Sequence, residues 1–391
     1  MLGKTEAELI KKALRKEIEC RDVAGANLLV IHKGKEVFYH EDGFADVEKR
    51  IPIKRDTIFR LYSMSKPVTA AAVMILLERG EIDLFEPVSK FLDGFRNQTV
   101  YKDGSLVPAE RDVNIRDLLS MTSGLPYPGE DMAGRQVGIL FESLERGLAS
   151  DDPIGTVEAM NRLGKCPLAF QPGTSWLYGT SADVLGAVVE VVSGMRFGEF
   201  LAKEIFEPLG MKDTAFWVPA EKRDRLANAY SADGKGGLTL YTGNNLAINY
   251  RMDKSPAFES GGAGLASTID DYVRFAAMLM NGGELDGVRI LQPGTVRYMT
   301  SAALNEVQQR GFETWLTLNG HSYGNLMRIM TDCSLAGIVG SPGEYGWDGW
   351  LGAYFCNCPK EELTFLYMMQ RTDSGTTALT RKLRNIILSA I

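Results

Sequence analysis

The two ends of this chain are strand-like and its long middle is not, and that order limits the fold more than any other feature. Near the start, residues 28–31 and 36–40 are β-rich runs separated by Lys33-Gly34-Lys35, the pattern of a hairpin. Near the end, residues 350–356 and 363–369 read as two more strands. From about residue 90 to 250 the chain mixes short helical segments with Gly- and Pro-rich loops. The sequence therefore predicts a sheet built from both ends of the chain, with a mostly helical lobe inserted between them. Helical periodicity covers residues 6–20. A second helix runs from about 64 to 79 and stops at Gly80. A third, residues 182–193, has the apolar stripe Leu185, Val188, Val189 and Val192 and closes at Gly194. A fourth follows Ser267, which with Asp270 fits a capping pattern, and a closing helix spans 376–389. Strands and helices do not alternate regularly, which excludes a doubly wound parallel sheet.

The 391 residues are 45% hydrophobic, enough for a large core and two lobes. The formal net charge is -7, and no basic stripe is present. That excludes a nucleic-acid partner. No run approaches the roughly 20 apolar residues that cross a bilayer, so no membrane partner is expected. The first residues alternate charges instead of forming an apolar secretion signal. Five cysteines are an odd count without disulfide spacing. These features together predict a cytoplasmic protein.

Three segments could carry chemistry. In Ser63-Met64-Ser65-Lys66, three residues of helical spacing put Ser63 and Lys66 on one face. A serine hydroxyl needs a group to take its proton. A lysine serves if its pKa falls well below about 10.4, or if its charge stabilises another deprotonated group. The helix start adds free N–H groups for a developing oxyanion, and Pro67 is tolerated in that first turn. Alone the tetrapeptide is weak: about one Ser-x-x-Lys arises by chance in a chain this long, and Ser63 could be a plain helix cap. Tyr178 lies in Gln171-Pro172-Gly173-Thr174-Ser175-Trp176-Leu177-Tyr178-Gly179-Thr180, at a loop-to-helix junction; the plainer alternative is an aromatic packing residue. In Gly346-Trp347-Asp348-Gly349-Trp350-Leu351-Gly352, glycines interrupt a strand pattern. They mark a bulge, or the close approach of another backbone or a ligand.

Taken in order, these segments resemble the serine β-lactamase and penicillin-binding-protein superfamily. The likeness is to its class C β-lactamase-like branch, which includes the family VIII carboxylesterases. It covers about residues 25–370. It rests on residues 59–66, on Ile115-Arg116-Asp117-Leu118-Leu119-Ser120-Met121-Thr122-Ser123-Gly124-Leu125, on Pro172-Gly173 with Tyr178, on residues 261–268, and on Trp347-Asp348-Gly349. The resemblance implies an α+β fold in which helices flank an antiparallel sheet. Residues 1–90 and 255–391 would form the sheet domain and 91–254 the helical lobe, with the active site between them. It also implies that Ser63 is the nucleophile of an acyl-enzyme and that Lys66 and Tyr178 share the proton work; which is the base stays open. The backbone N–H groups of Ser63 and Trp350 would form the oxyanion hole. Trp347, Asp348, Gly349 and Thr180 would line the substrate.

Two departures bear on the substrate. Thr180 stands where lactamases of this branch carry Asn, and Trp347-Asp348-Gly349 replaces Lys-Thr-Gly. The lost lysine removes a charge that would hold a substrate carboxylate, and the tryptophan points toward the esterases. The expected activity is hydrolysis of small neutral esters. The alternatives are amide hydrolysis on D-amino-acid peptides or β-lactams, and a non-turnover acyl-accepting sensor. Asp348 could read a substrate amine, though a structural hydrogen bond is the stronger reading. His32, His40 and His321 sit in no triad context. Cys356 and Cys358 share one strand face but lack a second ligand pair. No metal or other cofactor is called for, the partner is a small-molecule ester or amide, and the oligomeric state stays open.

Overall fold

The computed structural model describes residues 2–391. Eight strands form one antiparallel sheet. Its spatial order is His321–Gly324, Met327–Met330, Tyr345–Asp348, Tyr354–Cys358, Leu363–Met369, Gly25–His32, Lys35–Asp46 and Ile51–Pro52. The ends of the chain meet where Gly25–His32 pairs with Leu363–Met369, Ala26 opposite Met369 and His32 opposite Leu363. The first hairpin turns through Lys33 (φ 52°) and Gly34 (φ 72°), the two positive φ values of a tight type I′ turn.

Side-chain alternation gives the sheet two buried faces. Leu28, Val30, Phe365, Tyr367 and Met369 pack with Ile10, Leu14, Leu383 and Ile387 from the terminal helices Lys4–Glu19 and Ala378–Leu388. Leu29, Phe355, Leu366 and Met368 join the larger core on the other face, with Tyr272 and Phe275 of the helix Ile269–Met280. Each large apolar side chain so buried contributes about 1.5–3 kcal/mol. The helix Ser65–Glu78 is buried at every position from Ser65 to Leu76, because all its residues there except Lys66 are apolar or small. It packs against Ser181–Ser193 in the middle of the molecule. Among the described residues no helix is long and apolar enough to cross a membrane.

Two local readings are corrected, and one element was not foreseen. The strand expected over 350–356 starts only at Tyr354: residues 349–352 form a turn between Tyr345–Asp348 and Tyr354–Cys358. The cap of the fourth helix is Thr268, whose Oγ1 accepts the Asp271 N–H at 3.2 Å; Ser267 is one residue early and pairs with Phe59 in a short strand. The edge hairpin His321–Met330 was not anticipated. Its turn places Asn325 (φ 48°) and Leu326 (φ 64°) in the left-handed region, and a leucine there hides the usual Asn-Gly signal.

Candidate active site

Ser63 lies in a short 3-10 turn, Tyr62–Met64, that runs directly into the helix Ser65–Glu78. Residues i and i+3 eclipse in such a turn, which sets Lys66 against Ser63. Ser63 makes no capping bond, so the plain cap reading does not hold. Tyr62, immediately before the nucleophile, has φ 46°. A bulky residue held there stores strain of order 1–3 kcal/mol, and packing of Tyr62 against Trp350, centroids 4.9 Å apart, holds it in place.

Lys66 has no solvent exposure. Its Nζ donates to Ser63 Oγ at 3.2 Å, to Tyr127 Oη at 2.9 Å and to the Gly262 carbonyl at 2.8 Å. Burial pulls its pKa down to about 7, while the carboxylates of Asp183 and Asp348 push the other way. As a neutral amine Lys66 keeps two donors for Tyr127 and Gly262 and turns its lone pair to the Ser63 hydroxyl. Asp183 is itself buried and accepts from Ser260 Oγ at 2.5 Å and the Gly262 N–H at 3.1 Å. The Gly262 residue thus bridges Asp183 and Lys66.

Tyr178 reaches the same point from the loop that precedes the helix Ser181–Ser193. Lys66 Nζ sits 4.6 Å from its ring centroid, and its hydroxyl accepts from Trp347 Nε1 at 2.9 Å. Burial pushes the phenol pKa well up, and the Ser63 and Trp347 side chains pull it part of the way back. Around it Trp176, Trp315, Tyr323 and Trp347 form an aromatic wall, of which Trp315 is 41% exposed.

The strand residues divide by face. Trp347 points into the site. Asp348, one residue on, is carried to the opposite face by strand alternation. There it accepts from Thr376 Oγ1 and lies 3.6 Å from the buried Arg328 guanidinium. It is therefore withdrawn from the substrate-lining set, and its role is the structural one. Gly349 is also a packing residue: a Cβ there would fall 2.1 Å from the Leu61 carbonyl oxygen. Its lack of a side chain brings the strand end against the segment that carries Ser63. The following Trp350 N–H has no acceptor among the described residues, while its indole donates to Asp373 at 2.8 Å. Thr180 is fully buried and donates to the Pro126 carbonyl at 3.2 Å. It braces the loop carrying Tyr127 and does not line the cleft.

Tyr127 is the residue that the sequence reading missed. It lies two residues beyond Leu125, where the quoted motif ends. Its signal was the bracket Pro126-Tyr127-Pro128, which restricts the backbone to extended conformations. Asp183 was missed because it reads as an ordinary first-turn helix acid. Cys356, Cys358 and Glu344 do come together, their ligand atoms within 4.8 Å of one another. The donor set does not suit a cation, since Arg384 already binds Glu344 Oε2 at 2.5 Å and Cys358 donates to the same oxygen at 3.3 Å.

Comparison with known proteins places the chain in a family. Residues 10–388 match the Beta-lactamase family. Protein Rv1367c of Mycobacterium tuberculosis is 31% identical over 370 residues, 92% of this chain and 88% of that one. Esterase EstB of Burkholderia gladioli is 34% identical over 345 residues, covering 85% and 82%. The solved structure of EstCE1, titled a hydrolase with promiscuous acyltransferase activity, superposes with a TM-score of 0.82 at 24% identity, covering 98% of this chain and 99% of that one. The chain belongs to the Beta-lactamase family and is a serine hydrolase of the β-lactamase and penicillin-binding-protein superfamily.

Proposed function

We propose that the protein hydrolyses small neutral esters through an acyl-enzyme on Ser63, with Lys66 as the base for acylation. The observation that carries this is the desolvated Lys66 amine, 3.2 Å from Ser63 Oγ, with its pKa near 7. At neutral pH a large fraction of the amine is unprotonated and can take the Ser63 proton. Tyr178 is held far from ionisation, so it suits relaying a proton to the leaving alkoxide better than removing one from Ser63. In acylation, Ser63 Oγ bonds to the ester carbonyl carbon as its proton passes to Lys66. The oxyanion is held by the Ser63 and Trp350 N–H groups. Collapse breaks the bond to the alkoxide, which leaves with the proton, and water then releases the acid. The aromatic wall at Trp315 and Trp347 suits an apolar acyl group. Among the described residues no strand cation faces the cleft to hold a carboxylate, which favours esters over penicillins, cephalosporins and peptides ending in D-Ala. The esterase name of EstB supports the same reading.

Rates on a p-nitrophenyl ester series beside a chromogenic lactam, with mass spectrometry of quenched enzyme, test it. The expected result is ester turnover with an acyl adduct on Ser63 and a poor lactam rate. Comparable lactam hydrolysis would overturn the neutral-ester assignment, and a stable adduct without turnover would make the protein an acyl-accepting sensor.

The base assignment also fixes a pH profile. The neutral amine is the active form, so kcat/KM is expected to rise with pH to a plateau, with its acid limb centred at about 7. Asp183 favours the charged amine. Asp183→Asn removes that help, lowers the Lys66 pKa further, and moves the acid limb to lower pH. A limb that stays in place or moves up would show that another group titrates there.

A further inference from the structure

Beside the reacting groups lies a cavity of about 270 Å³. It opens between the helix Met132–Gly147 and the turn at Asn245-Leu246, and Tyr127 forms part of its wall. The Tyr127 hydroxyl bonds to Lys66 Nζ, so the cavity is two hydrogen bonds from Ser63 Oγ. The helix presents Gly138, Phe141, Glu142 and Glu145 to it, the i, i+3, i+4, i+7 spacing of one face. A glycine at 138 leaves room, Phe141 gives an apolar floor, and two carboxylates supply charge.

Among the described residues no basic side chain lines the cavity. Arg135 on the same helix is turned to Glu130, at 3.7 Å. Among the described residues neither Glu142 nor Glu145 is held in an ion pair, Arg146 included. Glu145 makes one long contact, with the Ala247 N–H at 3.4 Å. Its charge reaches the nucleophile's own turn: after burial, which is the larger cause, it adds to the rise in the Tyr62 pKa. Asp348 cannot supply a cation contact, since it is engaged on the other face of its strand.

We propose that this cavity is a subsite for a positively charged group, such as the quaternary or primary ammonium of an ester substrate, and that Glu142 and Glu145 set the preference. It rests on the serine-hydrolase reading and extends its substrate class from small neutral esters to esters that carry a cation on one side of the scissile bond. The cavity makes the site; the carboxylates give it a sign. A cation within about 4 Å of a partly screened carboxylate gains of the order of tenfold in affinity, and an anion loses as much. The preference must fall with salt, because the cavity is open to solvent.

The test uses a choline ester and its neutral 3,3-dimethylbutyl isostere, which differ only by nitrogen for carbon. At low ionic strength the ratio of kcat/KM, cationic over neutral, is expected to be about ten. It should fall toward one in Glu142→Gln/Glu145→Gln and decline with added salt. Glu142→Gln alone, at an exposed position, gives an intermediate ratio and guards against a misfolded double variant. In parallel, the affinities of choline and 3,3-dimethylbutanol are measured by calorimetry, which needs no turnover. Tighter choline binding that the double variant abolishes, without ester turnover, keeps the subsite and sinks the esterase reading. Equal binding and equal rates in the wild-type protein, or a preference that the double variant retains, overturn the subsite.

Discussion

Ser63→Ala is expected to lower kcat on the best ester by a factor of about 10⁴ or more, and Lys66→Met by about 10³. The two act as one unit. Without the hydroxyl there is nothing for the amine to deprotonate, and without the amine the hydroxyl stays a poor nucleophile. The double variant is therefore expected to be no slower than Ser63→Ala alone, far from the product of the two losses. Tyr178→Phe separates the two candidates for the base. With Lys66 in that role, the phenol only relays the proton to the leaving group, and its loss costs about a hundredfold, at the low end for proton-transfer groups. That cost should shrink on p-nitrophenyl esters, whose leaving group needs no proton, and persist on alkyl esters. A Tyr178→Phe defect equal to that of Lys66→Met on both ester types would make the phenol the base. Single-turnover rates measure these losses on the acylation step itself, free of product release.

Much of this was legible because the chemistry is written in local spacing. Ser63 and Lys66 sit within one turn, and any helical register brings them together. The hairpin at Lys33-Gly34 and the closing helix have local signals too. What stayed hidden depends on contacts distant in sequence. Thr180 looks like a lining residue until its hydroxyl is seen on the Pro126 carbonyl, 54 positions away. Asp348 looks like a substrate contact beside Trp347, but alternation sends neighbouring side chains to opposite faces, and a sequence does not say which face is the cleft. The glycines around Trp347 fit either a bulge or a close approach, and at Gly349 it is the approach of the Leu61 backbone from the nucleophile's own segment. The edge hairpin and Tyr127 share a cause: residues other than glycine hold their shapes through tertiary packing, which local patterns do not report.

The largest stability effect is expected beneath the Trp347 strand, on the face turned from the cleft. Glu344 and Arg384 are each only 2% exposed and pair at 2.5 Å, with Cys358 donating to the same carboxylate oxygen. Arg328, 4% exposed, lies on that same face beside Asp348. Two buried guanidiniums thus lie with the buried Glu344 carboxylate and the partly buried Asp348, and each arginine depends on acids for its charge. Glu344→Gln leaves the Arg384 guanidinium in the interior without its counter-charge, at a cost of about 3–5 kcal/mol. A urea midpoint lowered in proportion, at unchanged slope, is the measurement that shows it. Replacing both partners, Glu344→Leu with Arg384→Met, removes the two charges together and is expected to recover most of that loss, because neither desolvation cost is then paid. A double variant as unstable as Glu344→Gln would mean that the pair supports the fold through packing and hydrogen bonds, and not through balanced charge. The kinetic consequence follows from position. Tyr345–Asp348 is paired between Met327–Met330 and Tyr354–Cys358, so loosening its underside frees Trp347 and, through the 2.9 Å bond, the Tyr178 hydroxyl. Glu344→Gln should therefore lower kcat on alkyl esters more than on p-nitrophenyl esters, the same signature as Tyr178→Phe at smaller amplitude.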